Sequence, residues 1–250
     1  MTSFAKHLTV VMPAYNESEG IEQAVRGFLA LPEVFEVVVV DNNSKDDTAE
    51  KASRAGARVV LETQQGYGFA CRRALVEAKT PYVAIVESDN TFWPSDIGKF
   101  LAYIQEFDVV FGTRTSRSCI WAGANMGHFL RYGNCAVAKY LEYLHNGPCL
   151  TDVGCTYKVL RREVIEDVAP FWQIGNSAFS PELMMLCIRR GWRCVEIPVN
   201  YGARVGVSKI TGSFKKAFKL GLRMIVLITQ RRFIKIGRAP FINKSKPATT

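Results

Sequence analysis

Glu87 and Asp89 close an apolar run, Val83-Ala-Ile-Val-Glu-Ser-Asp89, and their types and spacing suit cation chemistry. In an extended segment, side chains two residues apart point the same way. Paired carboxylates so placed suit one hard, oxygen-loving cation such as Mg2+ or Mn2+, shared with a diphosphate. The same residues also read as an acidic loop feeding a helix that starts at Pro94 or Ser95. Asp41 ends a second apolar run, Phe35 to Val40. There a carboxylate can accept hydrogen bonds from a ribose or base, or act as a turn or cap residue. Arg114, Arg117 and Arg131 can face a phosphate, or form surface salt bridges.

Other chemistries find little support. The seven cysteines are scattered and never form a C-x-x-C pair, which argues for a reducing compartment and against zinc or a disulfide framework. The three histidines, His7, His128 and His145, lack metal-ligand spacing. No G-x-G-x-x-G follows the first strand; Gly66 and Gly68 could let backbone approach a phosphate at a helix start.

The elements that must position these groups alternate. Strands are expected over Leu8 to Met12, Phe35 to Val40, Ala57 to Leu61, Tyr82 to Val86, Val109 to Phe111, Thr151 to Leu160 and Trp192 to Val199, with helices between them. That pattern predicts a mostly parallel, right-handed α/β sheet. Ser180 reads as a helix N-cap before Pro181, and Gly191 as the stop.

The net charge of +9 is distributed unevenly: residues 197 to 250 hold 12 Lys or Arg and no acid, leaving 20 basic and 23 acidic residues before them. Two units are expected, a globular domain over residues 1 to 210 and a basic helix and tail over 211 to 250. In the tail helix, Phe214, Phe218, Leu222 and Ile225 recur at helical spacing beside Lys215, Lys219 and Arg223. Its apolar centre, Met224 to Ile228, is far short of the ~20 residues a span needs. This is the pattern of a helix lying on an anionic membrane surface, or of an ordinary helix packed on the domain. A nucleic-acid-binding module is the rival from another class; basic and aromatic residues interleave only over 214 to 241, so nucleic acid is not expected as a partner.

Taken in order, Val-Met-Pro-Ala-Tyr-Asn-Glu17, Val-Asp-Asn-Asn-Ser44, Gln-Gly-Tyr-Gly68, Glu-Ser-Asp89, Gly-Thr-Arg114, Pro-Glu-Leu183 and Glu-Ile-Pro-Val199, with Arg204 and Ser208-Lys209, resemble the family 2 glycosyltransferases. Within them the chain resembles dolichol-phosphate mannose synthases and other polyprenyl-phosphate glycosyltransferases. The resemblance implies a GT-A fold: a Rossmann-like, mixed, mostly parallel sheet with flanking helices, here followed by the amphipathic helix. It implies a metal-dependent, inverting hexosyl transfer from GDP-mannose or a UDP-hexose to a polyprenyl phosphate, by an enzyme peripheral on the cytoplasmic face of a membrane. Pro13, Tyr15, Glu17, Asp41, Asn43, Gly66, Glu87, Ser88 and Asp89 would hold the nucleotide sugar. Glu87, Asp89 and Thr91 would hold the metal; Asp89, Arg204 and Lys209 would be catalytic; Arg114, Arg117, Arg131, Arg204 and Lys209 would meet the acceptor phosphate. Glu87 stands for the usual first aspartate, Thr91 for a glutamine, Asn42 and Asn43 for part of an acidic and glycine pattern, and Thr156 with Lys158 for Gly-Phe-Arg. The rival enzyme reading is transfer to a saccharide or protein hydroxyl, with Asp152 or Glu182 as base.

Overall fold

A computed structural model describes residues 6–205 and 214–239. Seven strands form one sheet: β1 (Leu8–Ala14), β2 (Val34–Asp41), β3 (Arg58–Leu61), β4 (Tyr82–Ile85), β5 (Val109–Thr113), β6 (Lys158–Arg161) and β7 (Cys194–Pro198), in the order β3-β2-β1-β4-β6-β5-β7. All neighbours are parallel except β6, which runs antiparallel to both β4 and β5. β1 and the second half of β2 are buried throughout, which is why they read as largely apolar runs.

Successive residues serve opposite faces. Val11, Val38, Val40, Val83, Ile85 and Phe111 pack with α3 (Tyr67–Glu77), α5 (His128–His145), α6 (Arg162–Val168) and α7 (Phe179–Arg190). Val10, Met12, Val37, Val39, Ala84 and Val110 pack with α1 (Ile21–Leu29), α2 (Thr48–Arg54) and α4 (Ile97–Ile104). The chain leaves β1 toward β2 on one side and returns to β4 on the other, so a crevice opens past the carboxyl ends of β1 and β4, where such sheets take ligands.

The expected strand over Thr151 to Leu160 is shorter and later, as β6. Thr151 to Tyr157 is irregular because its polar groups bind elsewhere: the amides of Thr151 and Asp152 donate to Glu196 at 2.7 and 3.1 Å. Ser180 does not cap α7. It lies inside the first turn, and its hydroxyl donates to the Val153 carbonyl at 2.7 Å. Gly191 ends α7 in the left-handed region, φ +89°, as expected of its lack of a Cβ.

The tail helix, α8 (Phe214–Arg232), packs on α5 and α7. Met224, Leu227 and Ile228 join the same apolar cluster as the sheet, while Phe218, Leu222, Ile225 and Val226 are exposed. Arg231 is buried and its guanidinium meets the wholly buried Glu182 carboxylate at 2.5 Å, fixing the end of α8 to the start of α7. Lys219 and Arg223 are exposed; the side chains of Phe214 and Lys215 lie outside the described ones.

Candidate active site

Three strand ends converge on one cleft. At the end of β1 and just past it, Pro13, Tyr15 and Glu17 line it; the loop is held to the end of β2 because the Asn16 amide donates to Ser44 Oγ at 2.9 Å and the Lys45 amide donates to Asn16 Oδ1 at 2.8 Å. Asn16 takes φ +52°, a conformation asparagine tolerates through its short polar side chain. At the end of β2, buried Asp41 accepts the Ser44 amide on Oδ2 at 3.3 Å, whereas Oδ1 has no hydrogen-bond partner. A buried acceptor without a donor is costly. Asp41 itself does not line the cleft, Asn42 beside it does, and a ligand hydroxyl or base N–H reaching past Asn42 would satisfy the acceptor.

Past β4, Glu87, Ser88 and Asp89 line the cleft. Ser88 Oγ donates to the Pro13 carbonyl at 3.2 Å, tying the β1 and β4 ends together. Thr156 Oγ1 donates to Glu87 Oε1 at 2.8 Å and lies 2.5 Å from the Tyr67 hydroxyl. Asp89 Oδ1 accepts the amide and the hydroxyl of Thr91 at 3.1 and 2.6 Å. Thr91 therefore does not line the cleft as a metal ligand; its hydroxyl orients Asp89.

Burial first, and then the nearby Asp89 carboxylate, push Glu87 up to about 7 against the opposing effects of Arg114 and the Thr156 hydroxyl. Two close carboxylates offering only oxygen donors fit a hard dication, whose charge would offset both effects. Among the described residues, no cluster of three His, Cys, Asp or Glu side chains could hold a metal by itself. The rest of a coordination shell would come from a bound ligand or water.

Arg204 and Arg114 supply the positive charge. Arg204 reaches Asp89 Oδ2 with Nη1 at 2.9 Å and Glu17 Oε1 with Nη2 at 2.5 Å. Arg114 lines the cleft, yet its Nε and Nη2 lie on the two oxygens of Asp152 at 2.8 and 3.0 Å, and its guanidinium sits 5.3 Å from the Tyr201 ring centroid. Asp152 is held below the usual carboxylate range by this arginine against the opposing effect of burial.

Several residues named from the sequence sit elsewhere. Arg117 is exposed and outside the cleft lining, and Arg131 donates from Nε to the Thr115 carbonyl at 2.7 Å. Asn43 points its amide to the Thr63 carbonyl at 2.7 Å. Lys209 lies outside the described residues. The glycines before α3 do not open a phosphate cradle: the amides of Gly68 and Phe69 donate to the Gly175 carbonyl at 3.0 and 3.4 Å. A Cβ on Gly68 would meet the Ile174 oxygen and the Gly175 carbon at 2.7 Å, so close backbone packing explains this glycine. Gly66 donates its amide to Asn42 Oδ1 at 2.8 Å. Tyr67 and Thr156 were missed as site residues; the only sequence signal was that Thr156 and Glu87 both depart from the family pattern.

The cleft holds about 720 Å³ and is not confined to the strand ends. It continues between α5 and α8, walled by Phe129, Leu130, Val137, Phe218, Leu222 and Ile225.

The glycosyl transferase family 2 profile matches residues 9–169. An uncharacterised glycosyltransferase of Mycobacterium tuberculosis is 35% identical over 210 residues, 83% of this chain and 91% of that protein. A dolichyl-phosphate hexose transferase of Haloferax volcanii is 31% identical over 204 residues, 81% of this chain and 86% of that protein. Among solved structures, glucosyl-3-phosphoglycerate synthase from M. tuberculosis, in complex with Mn2+, UDP and glucosyl-3-phosphoglycerate, matches with a TM-score of 0.71 at 19% identity, over 92% of this chain and 81% of that one. At that identity the likeness concerns the fold, which is GT-A. Because the profile spans Pro13, Asp41, Glu87 and Asp89 at the strand ends, and both relatives align over about four fifths of the chain, this chain belongs to glycosyltransferase family 2 and within it resembles the polyprenyl-phosphate transferases.

Proposed function

We propose that the chain transfers a hexosyl unit, with inversion, from a nucleoside diphosphate sugar to the phosphate of a polyprenyl lipid of the dolichyl or undecaprenyl type. The observation that carries this reading is the continuity of one cleft, from the acidic strand ends to the apolar walls between α5 and α8. Asp41 and the Pro13–Glu17 loop would take the nucleoside of GDP-mannose or a UDP-hexose. Glu87 and Asp89 would hold Mg2+ or Mn2+, which supplies charge stabilisation of the departing diphosphate. Arg204 would add a second positive charge at the same phosphates.

A phosphate acceptor is already anionic near pH 7, so it needs positioning and charge balance more than a base. That agrees with how the acids of the rival hydroxyl-acceptor reading are bound: Asp152 lies in a two-point pair with Arg114, and Glu182 is buried against Arg231. A polar molecule such as glucosyl-3-phosphoglycerate, found in the solved relative, would meet apolar side chains beyond the strand ends, whereas an isoprenoid chain would be buried by them.

The lipid phosphate lies at headgroup depth, so the enzyme would work peripherally on the cytoplasmic face. The exposed apolar residues of α8, Val226 and the cleft-mouth residues Phe218, Leu222 and Ile225, with exposed Lys219 and Arg223 among them, suit that interface. No described helix is long and apolar enough to cross a membrane. The test is incubation with a panel of nucleotide sugars, polyprenyl phosphate and Mg2+ or Mn2+, reading glycolipid by mass spectrometry. Product is expected from one donor class and a loss of about 100-fold or more in D89A; full activity of D89A at saturating metal would sink the assignment.

A further inference from the structure

Arg204 occupies the carboxylate that a metal would need. Asp89 has two oxygens: Oδ1 receives both Thr91 donors, and Oδ2 receives Arg204 Nη1 at 2.9 Å. The other arm of the same guanidinium, Nη2, lies on Glu17 Oε1 at 2.5 Å. A cation bound through Asp89 Oδ2 would therefore share a carboxylate oxygen with a guanidinium, two positive charges in contact.

The backbone carrying Arg204 is anchored where it is. The Gly202 amide donates to the Thr91 carbonyl at 2.8 Å and the Val205 amide to the Asp89 carbonyl at 3.1 Å, so the segment runs bonded beside the acidic loop. Any yielding to a cation is left to the side chain. A new anion near the fork would compensate the arginine for the carboxylate it releases, and its Nε, buried without a partner, is a donor already in place for one. The two carboxylates after β4 cannot complete a metal shell with a third acidic, His or Cys side chain among the described residues. A diphosphate supplies both missing parts: oxygens for the metal and an anion for Arg204.

We propose that Arg204 is a built-in counter-cation of the donor site, which opposes metal binding to the empty enzyme and favours entry of metal and diphosphate together. This rests on the donor-site reading above, and it makes metal and nucleotide thermodynamically coupled ligands through one side chain.

The test uses the full chain and Mn2+, with free Mn2+ read by electron paramagnetic resonance. Titrations are run alone and with saturating UDP or GDP, each corrected by the same titration without protein. R204Q should bind Mn2+ alone at least about five-fold more tightly than wild type, and the tightening that nucleotide gives should shrink by a similar factor; this expectation is the loss of one competing cation. R204K, which can reach only one of the two carboxylates at a time, should fall between them, and it decides by the same criterion if the melting curve shows R204Q to be unfolded. Metal binding to the folded variant no tighter than to wild type would overturn the proposal. If neither nucleotide binds wild type, the donor reading and the diphosphate half of the proposal fall, while the metal-alone comparison still decides whether Arg204 competes.

Discussion

Glu87 differs from an aspartate by one methylene, and the hydroxyl of Thr156 at 2.8 Å holds the longer side chain in place. Hydrogen-bond partners of metal ligands orient them, and their loss typically weakens metal affinity about 10- to 100-fold. T156V is expected to raise the Mn2+ concentration for half-maximal rate within that range, with little change in the rate at saturating metal. A second buried carboxylate gives a pH signature away from the cleft. Burial pushes Glu196 up to about 7, with Asp152 raising it and donors from Thr151 and Asp152 opposing. Because the folded value lies above the ordinary carboxylate value, the associated stability is present below about pH 4.5 and is lost as pH rises through about 7. The expected loss is on the order of 3 kcal/mol. Urea denaturation at pH 5 and pH 8 should show a steeper decline for wild type than for E196Q, and equal slopes would remove Glu196 from the account.

At the scale of elements, α8 is fastened by charge as well as by its apolar face. Glu182 accepts the Gln173 amide at 3.2 Å and the Ile174 amide at 3.0 Å, besides the buried Arg231. Removing the arginine alone leaves a buried acid unpaired, which costs about 3–5 kcal/mol, whereas removing both charges is far milder. R231M is therefore expected to unfold at much lower urea than wild type, with E182Q/R231M recovering most of the difference. The loop that Glu182 holds also presents the Gly175 carbonyl to the start of α3, so the glycines of Gln-Gly-Tyr-Gly68 act in helix-to-loop packing.

For the whole molecule, six of the twelve basic residues after residue 196 and a row of exposed apolar residues occur on α8, whose inner face belongs to the core. Docking through that helix would set the apolar end of the cleft against a bilayer, with the donor end in water. The full chain should sediment with anionic vesicles at low salt, and K215Q/K216Q/K219Q/R223Q should release it, since each basic residue near an anionic surface contributes about 1 kcal/mol. Nucleotide-sugar binding should survive in that variant. Equal sedimentation of both proteins, or equal binding to neutral and anionic vesicles, would exclude an electrostatic anchor.

What the sequence determined by itself was local and periodic. Strands buried on both faces are largely apolar, so β1, the second half of β2 and β4 were legible together with the polar residues that follow β1 and β4, several of which line the cleft. Tertiary structure decided what those residues touch. Arg114 meets Asp152 across 38 residues, Arg231 meets Glu182 across 49, and Arg204 meets Glu17 across 187. An arginine in a polar loop reads the same whether its partner is a ligand phosphate or a distant carboxylate. Likewise Gly68 reads the same whether phosphate or the Gly175 carbonyl approaches it. Strand order brings such partners together, and it arises from burying both sheet faces at once rather than from any pattern along one segment.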